Sequence, residues 1–389
     1  MSKIVHVMLA CFYKNGFGYQ ENILPAKHKE LGFDVRICTY NQGGDASYPE
    51  GVPPLTYINP DGIPVHVLES VYSLGFRIPM LGGWFRRTKG IYEYLESEQP
   101  DYIFIHGVTA SDNLDVIRYK RKHPEVKLYA DNHSDYYNAP VKTFRQKAFR
   151  YSLGRYIGKQ LSKNAEVVWG VTPWRVIYQQ KVFGVSPKKS KLLVMGGDER
   201  HIRWEVRDKI RDDIRTRLAI PDNAFVVISG GKIDKAKNLH LLAEAIKSFP
   251  DVYLIIFGRF EKDMEGLTEL FNQERIKNVG WISPAEANDY FLASDLGFFP
   301  GTHSVLWEQA CATGLPSVFK DWNGGFNHVD VGGNCILLKD PTIENVSTTL
   351  TRLLSEPEHY QQMKSIAETK GRKVFSYKEI AKRSIGIES

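Results

Sequence analysis

The sequence predicts an α/β protein with two doubly wound parallel-sheet domains, on three observations. Strand and helix patterns alternate through the N-terminal half, as in a parallel sheet covered by helices on both faces. In the C-terminal half, buried strands again lead through glycine-containing turns into helices. The chain has 389 residues, of which 42% are apolar, and this is enough for two domains with a core each.

The N-terminal half begins with a predicted strand at residues 4–9, a loop at 14–19 and a helix at about 21–31. Because ligands bind at the carboxyl ends of parallel strands, Gly16 and Gly18 in this loop are candidates for close approach to a diphosphate or an acceptor. Simple turn formation is the alternative. Further strands are predicted at residues 34–39, 102–106, 127–130 and 167–172.

The segment Asp-Asn-His-Ser-Asp at residues 131–135 follows the predicted strand at 127–130, where a cleft-facing loop is expected. This segment, with His133 at its centre, is the best site candidate in this half. A satisfied loop histidine is the alternative. Neither Asp131 nor Asp135 is assigned as a catalytic base.

In the C-terminal half, a buried strand at residues 225–229 leads through a glycine turn at 230–238 into a helix at 239–249. Glycines let backbone N–H groups approach an anion, and Lys232 and Lys237 can neutralise a diphosphate near the helix start. Lysines at such a position are otherwise solvated surface charge.

A second strand, at residues 296–299, leads through a Pro-Gly pair into a helix that Gly314 ends. Thr302 and Ser304 can cap this helix, which puts Glu308 in its first two turns. The two oxygens of a carboxylate there can accept hydrogen bonds from two adjacent ribose hydroxyls. A surface or capping glutamate is the alternative.

Five segments in a fixed order carry a family resemblance: Gly231-Lys232-Ile233, Ala236-Lys237-Asn238, the strand ending in Gly258, the turn at residues 278–282, and Glu308-Gln309-Ala310-Cys311-Ala312-Thr313-Gly314-Leu315-Pro316. Over almost the whole chain they resemble the retaining nucleotide-sugar glycosyltransferases of family 4, which have the GT-B fold. The resemblance implies two Rossmann-like domains facing a central cleft, at residues 1–198 and 199–371. A terminal helix within residues 372–389 would cross back to domain one.

The resemblance also implies an activity: transfer of a sugar from a nucleotide-diphosphate donor, UDP rather than GDP, to a glycan or lipid-linked acceptor in bacterial surface polysaccharide assembly. The anomeric configuration would be retained by front-face attack, and the leaving diphosphate would help to deprotonate the acceptor hydroxyl. No metal or other cofactor is expected. The implied catalytic residues are His133, at the transferred sugar, with Lys232 and Lys237; the implied donor-binding residues are Gly16, Gly18, Gly231, Gly258, His303, Ser304, Val305 and Glu308.

Two positions depart from the family pattern. The family commonly has a second glutamate eight positions before the ribose-binding one, and Pro300 stands there. His303, Thr302 or Ser304 can take over its contacts. Lys232 replaces an arginine, so a point charge replaces a planar fork. A nucleotide-sugar epimerase of the same fold and a non-catalytic partner protein therefore stay open as alternatives.

Three other functional classes are disfavoured. In a nicotinamide-dependent enzyme, a third glycine would stand at Glu21 and the second strand would end in an acidic residue. A metal-dependent transferase would show an Asp-x-Asp after a strand, and no convincing one occurs. The net charge of +6 is modest for nucleic-acid binding, and no module of that kind is present.

Residues 141–163 carry seven basic and no acidic side chains, with aromatic residues between them. Such a stretch can contact anionic lipid headgroups, with Arg145 and Arg150 inside it and Trp84 and Arg86 nearby on the same acceptor or membrane side. A helix with a solvated basic face is the alternative.

The chain has no uninterrupted apolar stretch of about 18 residues, and its four cysteines lack metal-type spacing. We therefore expect a cytoplasmic protein with reduced thiols, at the inner face of the plasma membrane if the basic stretch binds lipid.

Overall fold

The computed structural model of the protein describes residues 1–11, 13–15, 18–40, 55–72 and 86–387. The chain forms two compact units: unit one is Met1–Leu193 with Ala381–Ser389, and unit two is Val194–Ile380. Each unit has its own parallel sheet and its own hydrophobic core. The predicted class of two doubly wound α/β domains is confirmed.

The unit boundaries differ somewhat from the sequence prediction. The prediction divided the chain after residue 198 and returned it to domain one from residue 372, whereas the structure divides it after Leu193 and after Ile380. The Gly197 N–H donates to Phe375 O over 3.0 Å, and Gly197 forms a parallel β-bridge with Ser376. These contacts hold both connecting segments within unit two.

The described residues of unit one form ten strands, of which eight belong to one sheet. They are β1 (Lys3–Val7), β2 (Asp34–Tyr40), β3 (Leu55–Ile58), β4 (Pro64–Leu68), β5 (Ser70–Tyr72), β6 (Arg86–Thr88), β7 (Tyr102–His106), β8 (Lys127–Asn132), β9 (Val167–Gly170) and β10 (Ser190–Leu192). The large sheet has the order β10-β9-β8-β7-β1-β2-β4-β3 and is parallel except between β3 and β4. β5 and β6 form a separate antiparallel pair.

The α-helices in the described part of unit one are α1 (Gln20–Glu30), α2 (Ile91–Glu98), α3 (Asn113–Lys122), α4 (Phe144–Phe149), α5 (Arg155–Asn164) and α6 (Pro173–Lys181). A π-helical turn, Arg150–Gly154, joins α4 to α5. Ile157 and Leu161 of α5 lie in the core with strand residues such as Val5 and Leu128. The apolar face of the basic stretch therefore packs on the sheet.

β8 continues past its predicted end at residue 130. Asp131 and Asn132 pair with Trp169 and Gly170 of β9. The polar side chains do not end the strand, because Asp131 and Asn132 both find hydrogen-bond partners while fully buried. The predicted loop begins only at His133.

Unit two contains six strands: β11 (Phe225–Ile233), β12 (Val252–Phe260), β13 (Ile276–Asn278), β14 (Leu296–Phe299), β15 (Ser317–Lys320) and β16 (Cys335–Leu338). All pairs are parallel, in the order β13-β12-β11-β14-β15-β16. The direction of winding changes between β11 and β14. Crevices outside the carboxyl ends of strands at such a switch point bind ligands in open α/β sheets.

The α-helices of unit two are α7 (Arg207–Arg217), α8 (Leu239–Ile246), α9 (Pro284–Ala293), α10 (Leu306–Ala312), α11 (Ile343–Ser355), α12 (Pro357–Ile366), α13 (Arg372–Val374) and α14 (Tyr377–Ser384). α14 begins in unit two and ends in unit one.

The predicted glycine turn after residue 229 is wrong, because Gly230, Gly231 and Lys232 belong to β11 and pair with β12. Gly231 and Gly258 are register partners with φ of +108° and +124°. A Cβ on Gly258 would lie 1.8 Å from Gly231 O. The two glycines therefore allow a close approach of strand backbones, which local turn chemistry did not predict.

Candidate functional site

The candidate site of unit two lies at the carboxyl ends of β11 and β14. There the segment that contains Lys237 meets the segment that leads to Glu308. Pro300 O accepts a hydrogen bond from Asn238 Nδ2 over 3.1 Å, and the Thr302 N–H donates to Ala236 O over 3.0 Å. A Cβ on Gly301 would lie 2.3 Å from Ala236 O. Gly301 is therefore required for this contact.

Lys237 is only 9% exposed and holds the two segments together. Its Nζ donates to Thr302 O over 2.6 Å, and its backbone N–H donates to Asp234 Oδ1 over 3.1 Å. Burial lowers the pKa of Lys237 to about 8, with a smaller opposing effect of Asp234. The structure thus places a partly desolvated ammonium group beside the loop that precedes α10.

Lys232 has a different environment from Lys237, although the same role was predicted for both lysines. Its side chain is 66% exposed, and its Nζ lies 3.6 Å from Glu261 Oε2. An exposed ion pair of this kind contributes little to stability, so Lys232 is free to leave Glu261 for a stronger anion.

Glu308 lies in the first turn of α10 and is fully buried. Its Oε1 accepts hydrogen bonds from His303 Nε2 over 2.9 Å and from His328 Nε2 over 2.8 Å. Burial opposes ionisation of the carboxyl, but the two histidines outweigh it and hold the pKa of Glu308 below its usual range. The site is therefore built around a buried carboxylate.

Aromatic side chains fix the two imidazoles. The His303 ring stacks on Phe326 with centroids 4.1 Å apart and meets the edge of Trp307 at 5.1 Å. His328 belongs to a short 3₁₀ turn, Asn327–Val329. His328 was not predicted as a site residue, because no motif surrounds it and it lies 20 positions from Glu308 in the sequence.

Four buried polar atoms in this small region have no hydrogen-bond partner: Glu308 Oε2, His328 Nδ1, Ser304 Oγ and Trp307 Nε1. Buried polar groups are nearly always paired, and leaving one unpaired costs roughly 1–3 kcal/mol. A cluster of such atoms indicates a place for a polar ligand.

The predicted capping of α10 is wrong. The N-cap residue is Val305, without a side-chain cap, and Ser304 Oγ is one of the unpaired atoms above. Val305 itself is 40% exposed. The predicted helix end is correct, since α10 ends at Ala312, Thr313 is its C-cap residue and Gly314 has φ of +74°.

His303, Glu308 and His328 also have the donor set of a metal site. One ligand atom from each residue lies within 4.8 Å of the others. In the described part of the chain, this is the cluster of at least three histidine, cysteine or acidic side chains that could hold a metal ion. Two imidazoles and a carboxylate suit zinc and similar divalent cations. The expectation that no metal is needed stays a prediction.

The candidate of unit one, His133, follows β8 with a side chain that is 29% exposed. Its Nε2 lies 3.3 Å from Asp131 Oδ2. Burial alone would lower the pKa of His133, but the carboxylates of Asp131 and Glu21 raise it overall. Asp131, to which the sequence assigned no role, thus lies within ion-pair distance of His133, whereas Asp135 pairs with Arg175 over 3.1 Å.

The remaining predicted residues are dispersed. Gly18 is exposed in the segment before α1, and Arg86, Arg145 and Arg150 lie in β6, α4 and the π-helical turn. Gly16 and Trp84 lie outside the described residues. No helix in the described part of the chain is long and apolar enough to cross a membrane.

Comparison with known proteins agrees with this architecture. Residues 210–370 match the family model of glycosyl transferases group 1. A processive diacylglycerol α-glucosyltransferase of Acholeplasma laidlawii is 24% identical over 245 residues, which are 59% of this chain and 69% of that protein.

Solved structures resemble the chain over nearly its full length. HepE of Anabaena in complex with UDP has a TM-score of 0.67 and 16% identity, covering 98% of each chain. The UDP-GlcNAc 2-epimerase of Neisseria meningitidis bound to UDP-GlcNAc has a TM-score of 0.58 and 13% identity, covering 98% of this chain and 99% of that one. The protein therefore has the GT-B fold, and residues 210–370 of its second unit match the family model of glycosyl transferases group 1.

Proposed function

We propose that the protein is a retaining glycosyltransferase of family 4, which moves a sugar from a nucleoside-diphosphate donor to a glycan or lipid-linked acceptor. The observation that carries the proposal is Glu308, a buried carboxylate whose Oε2 has no partner, in a domain that matches glycosyl transferases group 1. UDP is the favoured nucleotide, since the similar HepE structure contains UDP. Bacterial surface polysaccharide assembly is the proposed setting.

Glu308 would bind the ribose of the donor in a modified way. A carboxylate oxygen has two lone pairs, and both of those on Oε1 are engaged by His303 and His328. We therefore expect both ribose hydroxyls to donate to Oε2 rather than one to each oxygen. Because Oε2 is buried, a neighbouring side chain has to move before the ribose can reach it.

The diphosphate would be stabilised by Lys237 and Lys232. A preorganised, partly desolvated ammonium group stabilises developing negative charge more strongly than a solvated one, so Lys237 carries the larger share. In the front-face step the glycosidic bond to the diphosphate breaks and the bond to the acceptor oxygen forms. The acceptor proton passes to the leaving diphosphate, and no metal ion is needed to balance charge.

A nucleotide-sugar epimerase is the second candidate, since an epimerase has the same fold. A transferase consumes the acceptor and forms a glycoside, whereas an epimerase or a non-catalytic partner forms none. Analysis of the products with and without acceptor separates these functions.

The first test is a thermal-shift screen of the full chain with UDP, GDP, ADP, CMP and their common sugar conjugates, each with and without EDTA. A ligand at about 100 times its Kd stabilises the fold by roughly 2.7 kcal/mol. We expect a UDP-sugar to raise the melting temperature, equally with EDTA. If no nucleotide raises it, the transferase proposal is wrong; if EDTA removes the shift, metal independence is wrong.

We also propose that the surface of α4 and α5 contacts anionic membrane. Phe144, Tyr151 and Tyr156 are 85%, 44% and 52% exposed, although the opposite face of α5 packs in the core. Lys147 and Lys159 are exposed between these aromatic side chains. Aromatic rings inserted at the headgroup level and lysines near anionic lipid would act together.

Replacing Phe144 and Lys147 by alanine is expected to weaken binding to vesicles containing phosphatidylglycerol by more than about 10-fold, because a lysine near anionic lipid contributes about 1 kcal/mol and a buried phenylalanine about 2 kcal/mol. Co-sedimentation measures the loss. The matched control removes exposed Ile343 and Lys339 of unit two and should leave binding unchanged. Equal loss in both variants would contradict a specific membrane surface.

A further inference from the structure

A continuous row of hydrogen bonds joins residues of five elements, β8, β7, β1, α1 and α14, beneath the surface of unit one. His106 Nδ1 lies 3.0 Å from Asp131 Oδ2, and His106 Nε2 lies 2.9 Å from His6 Nδ1. His6 Nε2 lies 2.9 Å from His28 Nδ1, and His28 Nε2 lies 3.0 Å from Ala381 O. We call these four side chains and the carbonyl the histidine chain.

The sheet register explains how the residues of the histidine chain come together. His6 of β1 is level with Phe104 of β7, and His106 of β7 is level with Asp131 of β8. Side chains level with one another, or two positions apart, share one face of a parallel sheet. His28 approaches that face from α1. The three imidazoles and Asp131 are fully buried.

Apolar rings isolate the chain from water. Phe104 lies 5.6 Å from the His6 ring and 4.8 Å from the His106 ring, and Phe33 lies 6.0 Å from the His28 ring. The other charged groups that act nearby, Glu21 and Arg175, affect His133 at the exposed end. The polar atoms of the chain must therefore satisfy one another.

The contacts of the histidine chain require more hydrogens than three neutral imidazoles carry. Four contacts need one hydrogen each, and both ends, an ionised Asp131 and the Ala381 carbonyl, can only accept. Three neutral imidazoles supply three N–H groups. One proton is missing from the neutral chain.

At the far end, the hydroxyl of Ser384 offers an alternative source of hydrogen among the residues that the structure describes. Its Oγ lies 3.1 Å from His28 Nε2 and 2.7 Å from Ala381 O. If the hydroxyl donated to His28, then His28 Nε2 and Ala381 O would face each other at 3.0 Å as two acceptors. The shorter contact has Ser384 donating to Ala381 O, which leaves His28 Nε2 as a donor.

We propose that the histidine chain holds this additional proton, with His106 as an imidazolium paired to ionised Asp131, and that the pair positions His133. His6 and His28 are then both neutral Nε2–H tautomers, and each donates toward α14. Burial lowers the pKa of His28 to about 4 and that of His6 well below its usual value, so neither ring competes with His106 for the proton. His28 thereby caps Ala381 O at the end of α14, while Trp169 Nε1 caps Ser384 O over 2.9 Å.

Asp131 links the histidine chain to His133, the residue proposed to lie at the transferred sugar. Its Oδ2 faces both His106 and His133, and its Oδ1 accepts from the Gly107 N–H over 3.0 Å. The groups that fix Asp131 therefore also fix the carboxylate that acts electrostatically on His133. This consequence for His133 depends on the proposed transferase activity, whereas the protonation of the chain does not.

The test is a long-range ¹H–¹⁵N spectrum of the full chain labelled with ¹⁵N-histidine, which reports which nitrogen of each ring carries hydrogen. At pH 7.5 we expect one buried ring with both nitrogens protonated and two Nε2–H rings. Neutral rings that all carry hydrogen on Nδ1 would overturn the proposal, because this is the pattern that Ser384 donation produces.

Three variants make the assignment secure. Ser384→Ala should leave the pattern unchanged, and a switch in this variant would show that the hydroxyl supplies the fourth hydrogen, which overturns the proposal. Asp131→Asn should remove the doubly protonated signal and shift that of His133; persistence of the signal contradicts the His106–Asp131 pair. His359→Gln, at an ion pair in unit two, is the control that should alter its own signal alone. These spectra decide the proton even in a protein without transferase activity.

Discussion

Glu308→Ala is expected to abolish the stabilisation by nucleotide and to lower transfer by at least about 100-fold, since the ribose loses its only proposed carboxylate acceptor. The variant should also be less stable without ligand. His303 and His328 both donate to Glu308 Oε1, and removing one partner of a buried charged cluster costs roughly 3–5 kcal/mol. Thermal shift with and without UDP-sugar, together with single-turnover transfer, measures both effects.

Two further variants separate ligand binding from folding. Glu308→Gln keeps the shape and an accepting oxygen, so it should fold better than Glu308→Ala while still binding nucleotide weakly. Glu344→Ala removes an exposed glutamate from the first turn of α11 and should change neither binding nor stability. Normal nucleotide binding by folded Glu308→Gln would show that Glu308 is a structural residue and that the ribose binds elsewhere.

Lys237→Met is expected to lower the rate of transfer by about 10²–10³-fold, which corresponds to roughly 2.7–4 kcal/mol of transition-state stabilisation. The reason is the position of Lys237 Nζ, buried beside the loop before α10, where it donates to Thr302 O. Lys232→Met serves as the matched comparison. Because Lys232 is largely exposed, its loss should cost less; equal losses, or no loss in Lys237→Met, would contradict the role given to burial.

The lowered pKa of Lys237 predicts a pH dependence. In wild type, kcat/KM should fall as pH rises through about 8, where Lys237 loses its charge. Stability should change in the opposite direction. The folded-state pKa of Lys237 lies below the ordinary lysine pKa of 10.5, so between these two values the unfolded chain binds more protons and the free energy of unfolding rises with pH.

The size of this stability gain can be measured as a difference from Lys237→Met, which lacks the titrating group. Denaturant unfolding at several pH values between about 8 and 10.5 should show wild type gaining on the order of 3 kcal/mol relative to the variant. Parallel curves for the two proteins would show that Lys237 is solvated and has an ordinary pKa.

Much of the fold could be predicted from the sequence because its signals are local. Each signal spans only a few positions: an apolar run, at residues 225–229 or 296–299, and the glycine-containing segment that follows it. They predicted parallel strands, the placement of Glu308 at the start of α10, and the end of that helix at Gly314. Periodicity and backbone preferences of single residues are sufficient for such features.

Features that depend on distant contacts were decided by the tertiary structure alone. The polar Asp131 belongs to a buried strand because His106 and Gly107 satisfy it, and Gly230 and Gly231 continue a strand because β12 pairs with them.

By itself the sequence determined the parallel α/β architecture and the position of a carboxylate at the start of α10. Only the tertiary structure decided that His328 completes the site of Glu308, that Lys237 is buried while Lys232 is exposed, and that His6, His28 and His106 form one chain. The physical reason is that the burial and the hydrogen-bond partners of a side chain depend on residues from different elements. Burial and partners in turn set the charge of a lysine or carboxylate and the tautomer of a histidine.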